Sequence, residues 1–168
     1  MERVAKFEKV SFEQFQKDYL EFNLTNEQLE STYDQIKMPK RATVGSAGYD
    51  FFLPFAIKLN PGETVKIPTG IRVRINDGWV LKLYPRSGLG FKFRLQLNNT
   101  VGIIDADYYN SSNEGHIFAK ITNDSNEGKV VDLASGMGFM QGIFVQFGIT
   151  EDDFVEAIRD GGFGSTSK

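Results

Sequence analysis

The sequence predicts an all-β fold, a sandwich or barrel and not a parallel sheet with crossover helices. Two observations carry this. From about residue 43 onward, short apolar runs alternate with polar residues at period two. The stretches between them are rich in Gly, Pro and Asn.

The first 40 residues read differently. Ser11 precedes Gln14 by three positions and Thr25 precedes Gln28 likewise, the spacing of a capping box. Phe12, Phe15 and Tyr19 recur at helical spacing, as do Leu29, Tyr33 and Ile36. The spacing predicts two short helices, near 12–20 and 26–36, closed by Met38-Pro39-Lys40. Strands then follow in order. Val65 and Ile67 alternate with polar neighbours, and Ile71, Val73 and Ile75 do the same. Asn76-Asp77-Gly78 is a turn signal, after which Trp79, Leu81 and Leu83 continue at period two. Phe91, Phe93, Leu95 and Leu97 predict a further strand, and Ile117, Ala119 and Ile121 another. The stretch from Asp160 to Lys168 is rich in Gly, Ser and Thr and predicts a mobile tail without a core of its own. The expected organisation is an N-terminal helical extension over 1–40, a β-domain over 41–158 and a flexible Gly-rich C-terminal arm over 159–168.

The 168 residues suffice for one domain with a core. A net charge of −3 and a pI of about 5.3 argue against a general nucleic-acid binder, and leave room for a local basic pocket that takes a small polyphosphate. The absence of cysteine excludes a disulfide framework and Cys-ligated zinc. No apolar run approaches the roughly 18 residues that span a bilayer. The first residues carry no signal-peptide apolar region. The expectation is a soluble cytoplasmic protein with neither membrane nor nucleic acid as partner.

Five segments are able to carry chemistry. In Ala47-Gly48-Tyr49-Asp50, a Gly before a fixed acid allows tight backbone approach; the alternative is a bulge with a solvated Asp. In Pro85-Arg86-Ser87-Gly88, a charged fork, a hydroxyl and an exposed N–H suit a phosphate; the alternative is a turn with a surface Arg. Asn99 to Tyr108 places Asp105 and Asp107 after a Val-Gly-Ile-Ile run, where a rigidly held carboxylate can orient a water; the alternative is an acidic turn. Gly136 to Phe144 offers Gln141 as a ligand amid residues that read as core. Arg159 to Thr166 combines glycines, hydroxyls, one charge and Phe163, as a phosphate-and-base clamp would; the alternative is a tail with one apolar side chain. The single His116 has no evident metal partner and reads as structural or exposed. The lack of Cys excludes a Cys-His centre, no Ser-His-Asp arrangement is evident around the one His, and no Walker pattern occurs.

Taken in order, AGYD (47–50), PRSG (85–88), NTVGIIDADY (99–108), GMGFMQG (136–142) and GGFGST (161–166) resemble the five motifs of the trimeric dUTPase family. The resemblance implies a jelly-roll-like β-fold and a homotrimer whose active sites each draw on all three chains. It implies hydrolysis of dUTP to dUMP and pyrophosphate with Mg²⁺. By position, Asp105 resembles the acid that activates the attacking water. Asn99 resembles the uracil-reading residue, beside the strand backbone of Gly102 and Ile104. Tyr108 resembles the residue under the deoxyribose. Arg86, Ser87, Gly88 and Gln141 correspond to phosphate ligands, and Asp50 to the acid linked to the metal through water. Phe163 and Gly164 would cover the uracil ring; Ser165, Thr166 and Arg159 would reach the γ-phosphate.

The chain also departs from the family pattern. Gly138 stands where the family has Arg three residues before the Gln, and only Asp160 separates Arg159 from GGFG. Six residues, Tyr109 to Glu114, fill a gap where the family commonly has one, a loop similar to those of Gram-positive bacteria and their phages. Two alternatives follow. A related dCTP deaminase should carry a catalytic Glu in the central motif and lack the arm. A regulatory protein on the dUTPase scaffold would bind a repressor-type protein partner through the extension or the 109–114 loop.

Overall fold

The computed structural model describes residues 1–157 and 159. Phe163, Gly164, Ser165 and Thr166, with the rest of the expected arm beyond Arg159, lie outside the described residues. The strands are β1 (Ala5–Lys9), β2 (Lys40–Arg41), β3 (Tyr49–Phe52), β4 (Ile57–Leu59), β5 (Thr64–Pro68), β6 (Ile71–Ile75), β7 (Trp79–Pro85), β8 (Leu95–Leu97), β9 (Gly102–Ile104), β10 (Phe118–Asn123), β11 (Val131–Leu133) and β12 (Gly138–Gln146). Every pairing among them is antiparallel. The largest sheet runs in the order β2-β3-β12-β7-β9. A second runs β5-β10-β8, and β1-β6 and β4-β11 form two-stranded ribbons. This is the expected all-β architecture. Ile67, Ile71, Leu81, Leu83, Ile121 and Phe139, drawn from several strands, and Ile117 just before β10 are almost wholly buried and form one core.

Two helices occur in the first 40 residues, α1 (Phe12–Asp18) and α2 (Asn26–Asp34). Thr25 and Gln28 make the full reciprocal capping box. At α1 only half of the box forms. Ser11 Oγ accepts from Gln14 N–H, but Gln14 Nε2 turns away to donate to Asp18. Ahead of these helices the expected extension over 1–40 also holds β1, which pairs with β6 in register Phe7↔Val73. Phe7 packs against Tyr49, Phe51 and Phe144 with ring centroids 5.3–5.6 Å apart, so the ribbon is sewn onto the large sheet. Phe15 of α1 and Tyr19, which caps its C-terminal end, are fully buried, and Tyr19 donates to the Pro68 carbonyl at 2.8 Å.

The expected strand over Phe91–Leu97 is a second correction. Ser87–Phe93 forms helix α3, whose end is fixed by Arg94 in the left-handed region at φ 53°, and only Leu95–Leu97 is strand. Phe91 is 92 % exposed while Leu89 and Phe93, four apart, face the core. Among the described residues, no helix is long and apolar enough to cross a membrane.

Candidate active site

One cross-strand row of the large sheet brings three of the five segments together. Lys40 on β2 pairs with Asp50 on β3, Asp50 with Gln141 on β12, and Gln141 with Tyr84 on β7. Cross-strand partners share a face of the sheet. Arg86, just past β7, reaches back to this row. Its Nε lies 3.3 Å from Asp50 Oδ1, and its Nη1 donates to the Gly138 carbonyl at 3.4 Å. Gln141 donates weakly to the Pro85 carbonyl at 3.4 Å.

Two glycines are explained by this crowding. A Cβ at Gly48 would stand 2.5 Å from Gln141 Oε1, and a Cβ at Gly138 would stand 2.7 Å from Arg86 Nη1. At Gly138 the Arg86 guanidinium occupies the space that a side chain would fill. Ser87 and Gly88 open α3, where first-turn N–H groups have no acceptor within the helix.

Asp105 belongs to a different place. It follows edge strand β9 and caps the 3₁₀ turn Ala106–Asn110 in extended conformation. Its carboxylate is about half exposed and lies 2.6 Å from Arg159 Nη2, while Arg159 Nε lies 3.0 Å from Asp107. Arg159 also stands over the Tyr108 ring, 5.7 Å from its centroid. Tyr108 is buried, its N–H donating to the Asp105 carbonyl at 3.2 Å and its hydroxyl to the His116 carbonyl at 2.7 Å. Burial pushes the Tyr108 phenol above its ordinary range.

Gly102 opposes Leu83 on β7, and a Cβ there would stand 3.0 Å from Leu83 Cβ; the close approach selects Gly. Ile104 is buried against Leu81. Because β9 ends the sheet, alternate backbone groups on its outer side face away from it, a ready set of donors and acceptors. Asn99 is exposed beside Thr100, whose φ of 65° tightens the turn from β8 to β9.

Within one chain these residues form two clusters, not one. Leu81 pairs with Ile104, which sets Asp105 level with Val80 at the start of β7, whereas Arg86 follows its end. At about 3.4 Å per residue the separation along the strand is roughly 20 Å. Asp50, Arg86, Ser87, Gly88 and Gln141 lie at one end, and Asp105, Tyr108 and Arg159 at the other.

Lys40 and Lys37 join the Asp50 end without a motif to mark them; the pairing of Lys40 sets it beside Asp50. Lys37 donates to the Gly136 carbonyl, and both ammonium groups lie within 6 Å of the Phe52 ring centroid. No local signal marks them, because the β2–β3 pairing alone supplies the neighbourhood. His116 resolves as structural: it is fully buried between Asp18 and Gly70.

Residues 34–166 match the model of a protein family described as dUTPase. The deoxyuridine 5'-triphosphate nucleotidohydrolase of Lactococcus lactis is 42 % identical over 134 residues, covering 78 % of this chain and 88 % of that protein. The enzyme of the same name from Hahella chejuensis is 40 % identical over 139 residues, covering 79 % and 88 %. Among solved structures, the dUTPase of Streptococcus mutans superposes with a TM-score of 0.63 at 34 % identity, covering 86 % of this chain and 98 % of that one. A mutant dUTPase from phage phi11 of S. aureus, described with a structural Mg(II) ion, gives a TM-score of 0.63 at 22 % identity, covering 92 % and 98 %; that likeness is one of fold.

Proposed function

The chain belongs to the dUTPase family, and from that premise we propose that it hydrolyses dUTP to dUMP and pyrophosphate, with Asp105 activating the attacking water. The observation that carries the reading is the placement of Asp105. It is a half-exposed carboxylate on a backbone fixed by an edge strand and a 3₁₀ turn, with Tyr108 bonded to its carbonyl. A base so held takes a proton from water as the water's oxygen attacks the α-phosphorus. The bond to the bridging oxygen breaks, and pyrophosphate leaves.

The roughly 20 Å between Asp105 and Arg86 supports sites shared between chains of a homotrimer. One chain contributes Arg86, the first-turn N–H groups of Ser87 and Gly88, and Gln141 as the phosphate grip. A neighbour contributes Asp105, Tyr108, Asn99 and the β9 backbone at Gly102 and Ile104. Asn99 and that backbone read the uracil edge, and Tyr108 lies under the sugar. Phe163, Gly164, Ser165 and Thr166 of the third chain close over base and γ-phosphate. Arg159, paired here with Asp105 and Asp107, exchanges those carboxylates for phosphate when its arm closes.

Mg²⁺ is the expected cofactor. Among the described residues no three His, Cys, Asp or Glu side chains converge on one point. The donor at the phosphate end is the single Asp50 carboxylate, which suits an ion that keeps its waters and takes most ligands from substrate. When bound, the ion neutralises phosphate charge; Asp50 is the residue that would reach it through water. In the cytoplasm such an activity limits uracil in DNA and supplies dUMP for dTMP synthesis. Turnover of dUTP against dCTP tests the reading. Pyrophosphate from dUTP is expected, and ammonia release from dCTP would overturn it.

A further inference from the structure

The N-terminal extension and the 109–114 loop are bonded to each other. Ser11 donates its N–H and hydroxyl to the Glu114 carboxylate at 2.7 and 2.6 Å. Tyr109 donates to Glu8 at 2.5 Å, and Arg72 lies over the Tyr109 ring while donating to the Tyr109 carbonyl at 2.7 Å. Glu114 at φ 58° and Gly115 at φ 69° fold the loop back on the catalytic turn. A Cβ at Gly115 would stand 2.7 Å from the Tyr108 carbonyl oxygen.

The folded loop brings two groups onto one hydroxyl. Asn113 Nδ2 donates to Tyr108 Oη at 2.9 Å, and Tyr108 donates to the His116 carbonyl at 2.7 Å. His116 is itself fixed. The Gly70 N–H donates to Nε2 at 2.7 Å, so that nitrogen carries no proton. The proton is on Nδ1, which donates to Asp18 Oδ2 at 2.6 Å. Asp18 ends α1 and also accepts from Gln14 at 2.8 Å. Asp18 and Gly70 thus anchor the buried His116 ring at its two nitrogens, and the His116 backbone carbonyl receives the Tyr108 hydroxyl. The Tyr108 N–H ties the same residue to Asp105.

We infer that Asp18, His116 and Asn113 are positioning residues that hold Tyr108 against the sugar and so set the preference for deoxyribose over ribose. The inference rests on the reading of Tyr108 given above. Excluding one hydroxyl requires a ring held within about 0.5 Å, which packing alone does not secure for a residue on a short turn. The two hydrogen bonds at the ring's tip, from Asn113 and to the His116 carbonyl, supply that restraint, and Asp18 of α1 supports the second by anchoring the His116 ring.

The test measures kcat and KM for dUTP and UTP in the full chain. Asp18→Ala and Asn113→Ala are each expected to cut the dUTP-over-UTP ratio of kcat/KM about tenfold, mainly through KM for dUTP. Asp18→Asn keeps an oxygen acceptor for Nδ1–H and is expected to retain the parent ratio within about twofold. If Asp18→Ala does not fold, Asn113→Ala decides. An unchanged ratio in the folded alanine variants, whatever their Tm, would overturn the inference. Tyr108→Ala separates the two levels. A collapsed ratio there with intact ratios in the other two refutes the positioning role alone, whereas an unchanged ratio in Tyr108→Ala refutes the sugar-contact reading beneath it.

Discussion

Arg86 and Asp105 flank β7 from opposite ends, roughly 20 Å apart along the strand, and lie in separate clusters of side chains. The proposed shared site takes the two residues from different chains. Subunit mixing tests this directly. Asp105→Asn and Arg86→Ala chains should each be nearly inactive alone. Co-refolded in equal amounts, they should regain roughly a quarter of parent activity, the statistical share of interfaces that combine one intact residue from each. A mixture as inactive as its components would show that both residues act within one chain.

Gly48 and Gln141 share one space, and that explains a glycine in front of Asp50. Gly48→Ala should push the Gln141 amide, a flexible tip, out of place at little cost in stability. We expect KM for dUTP to rise roughly tenfold, the size of one lost hydrogen bond to a charged group, with Tm nearly unchanged. Steady-state kinetics beside a thermal melt checks both halves.

The strands with regular alternation were legible because both faces of a half-buried strand leave their mark at period two, as Ile71, Val73 and Ile75 do. The Phe91–Leu97 alternation misled for a physical reason. Phe91 points to solvent from helix α3, and the left-handed Arg94 resets the chain before Leu95, so two unrelated segments happened to align at period two. Strand β1 was hidden because Phe7 is the one large apolar residue in Ala5–Lys9; its pairing with β6 and its aromatic neighbours are long-range. The acids, Arg86 and Gln141 were legible from local motifs. The pairing of Arg159 with Asp105 and the burial of His116 against Asp18 were not, since each joins residues far apart in sequence.

Two carboxylates in the extension's seam give a pH signature. Burial would raise Asp18, but hydrogen bonds from His116 and Gln14 outweigh it and hold the carboxyl below its ordinary 3.8. Burial would also raise Glu114, but the Ser11 hydroxyl and N–H, with Arg72 nearby, hold it below its ordinary 4.5. Groups depressed on folding stabilise fully above the unfolded values and lose that contribution as pH falls through the folded ones. The parent Tm should therefore fall more steeply below about pH 5 than that of the Asp18→Asn, Glu114→Gln double variant, which starts lower at pH 7. Parallel curves would contradict the assignment.

The most direct test of the central claim is pyrophosphate release from dUTP with Mg²⁺ by the parent and by Asp105→Asn. The side chain is about half exposed and ends a strand, so the isosteric change should leave the fold intact. If Asp105 is the base that activates water, kcat falls by at least about a hundredfold, the usual contribution of a general base. Near-parent turnover in the variant would contradict the account.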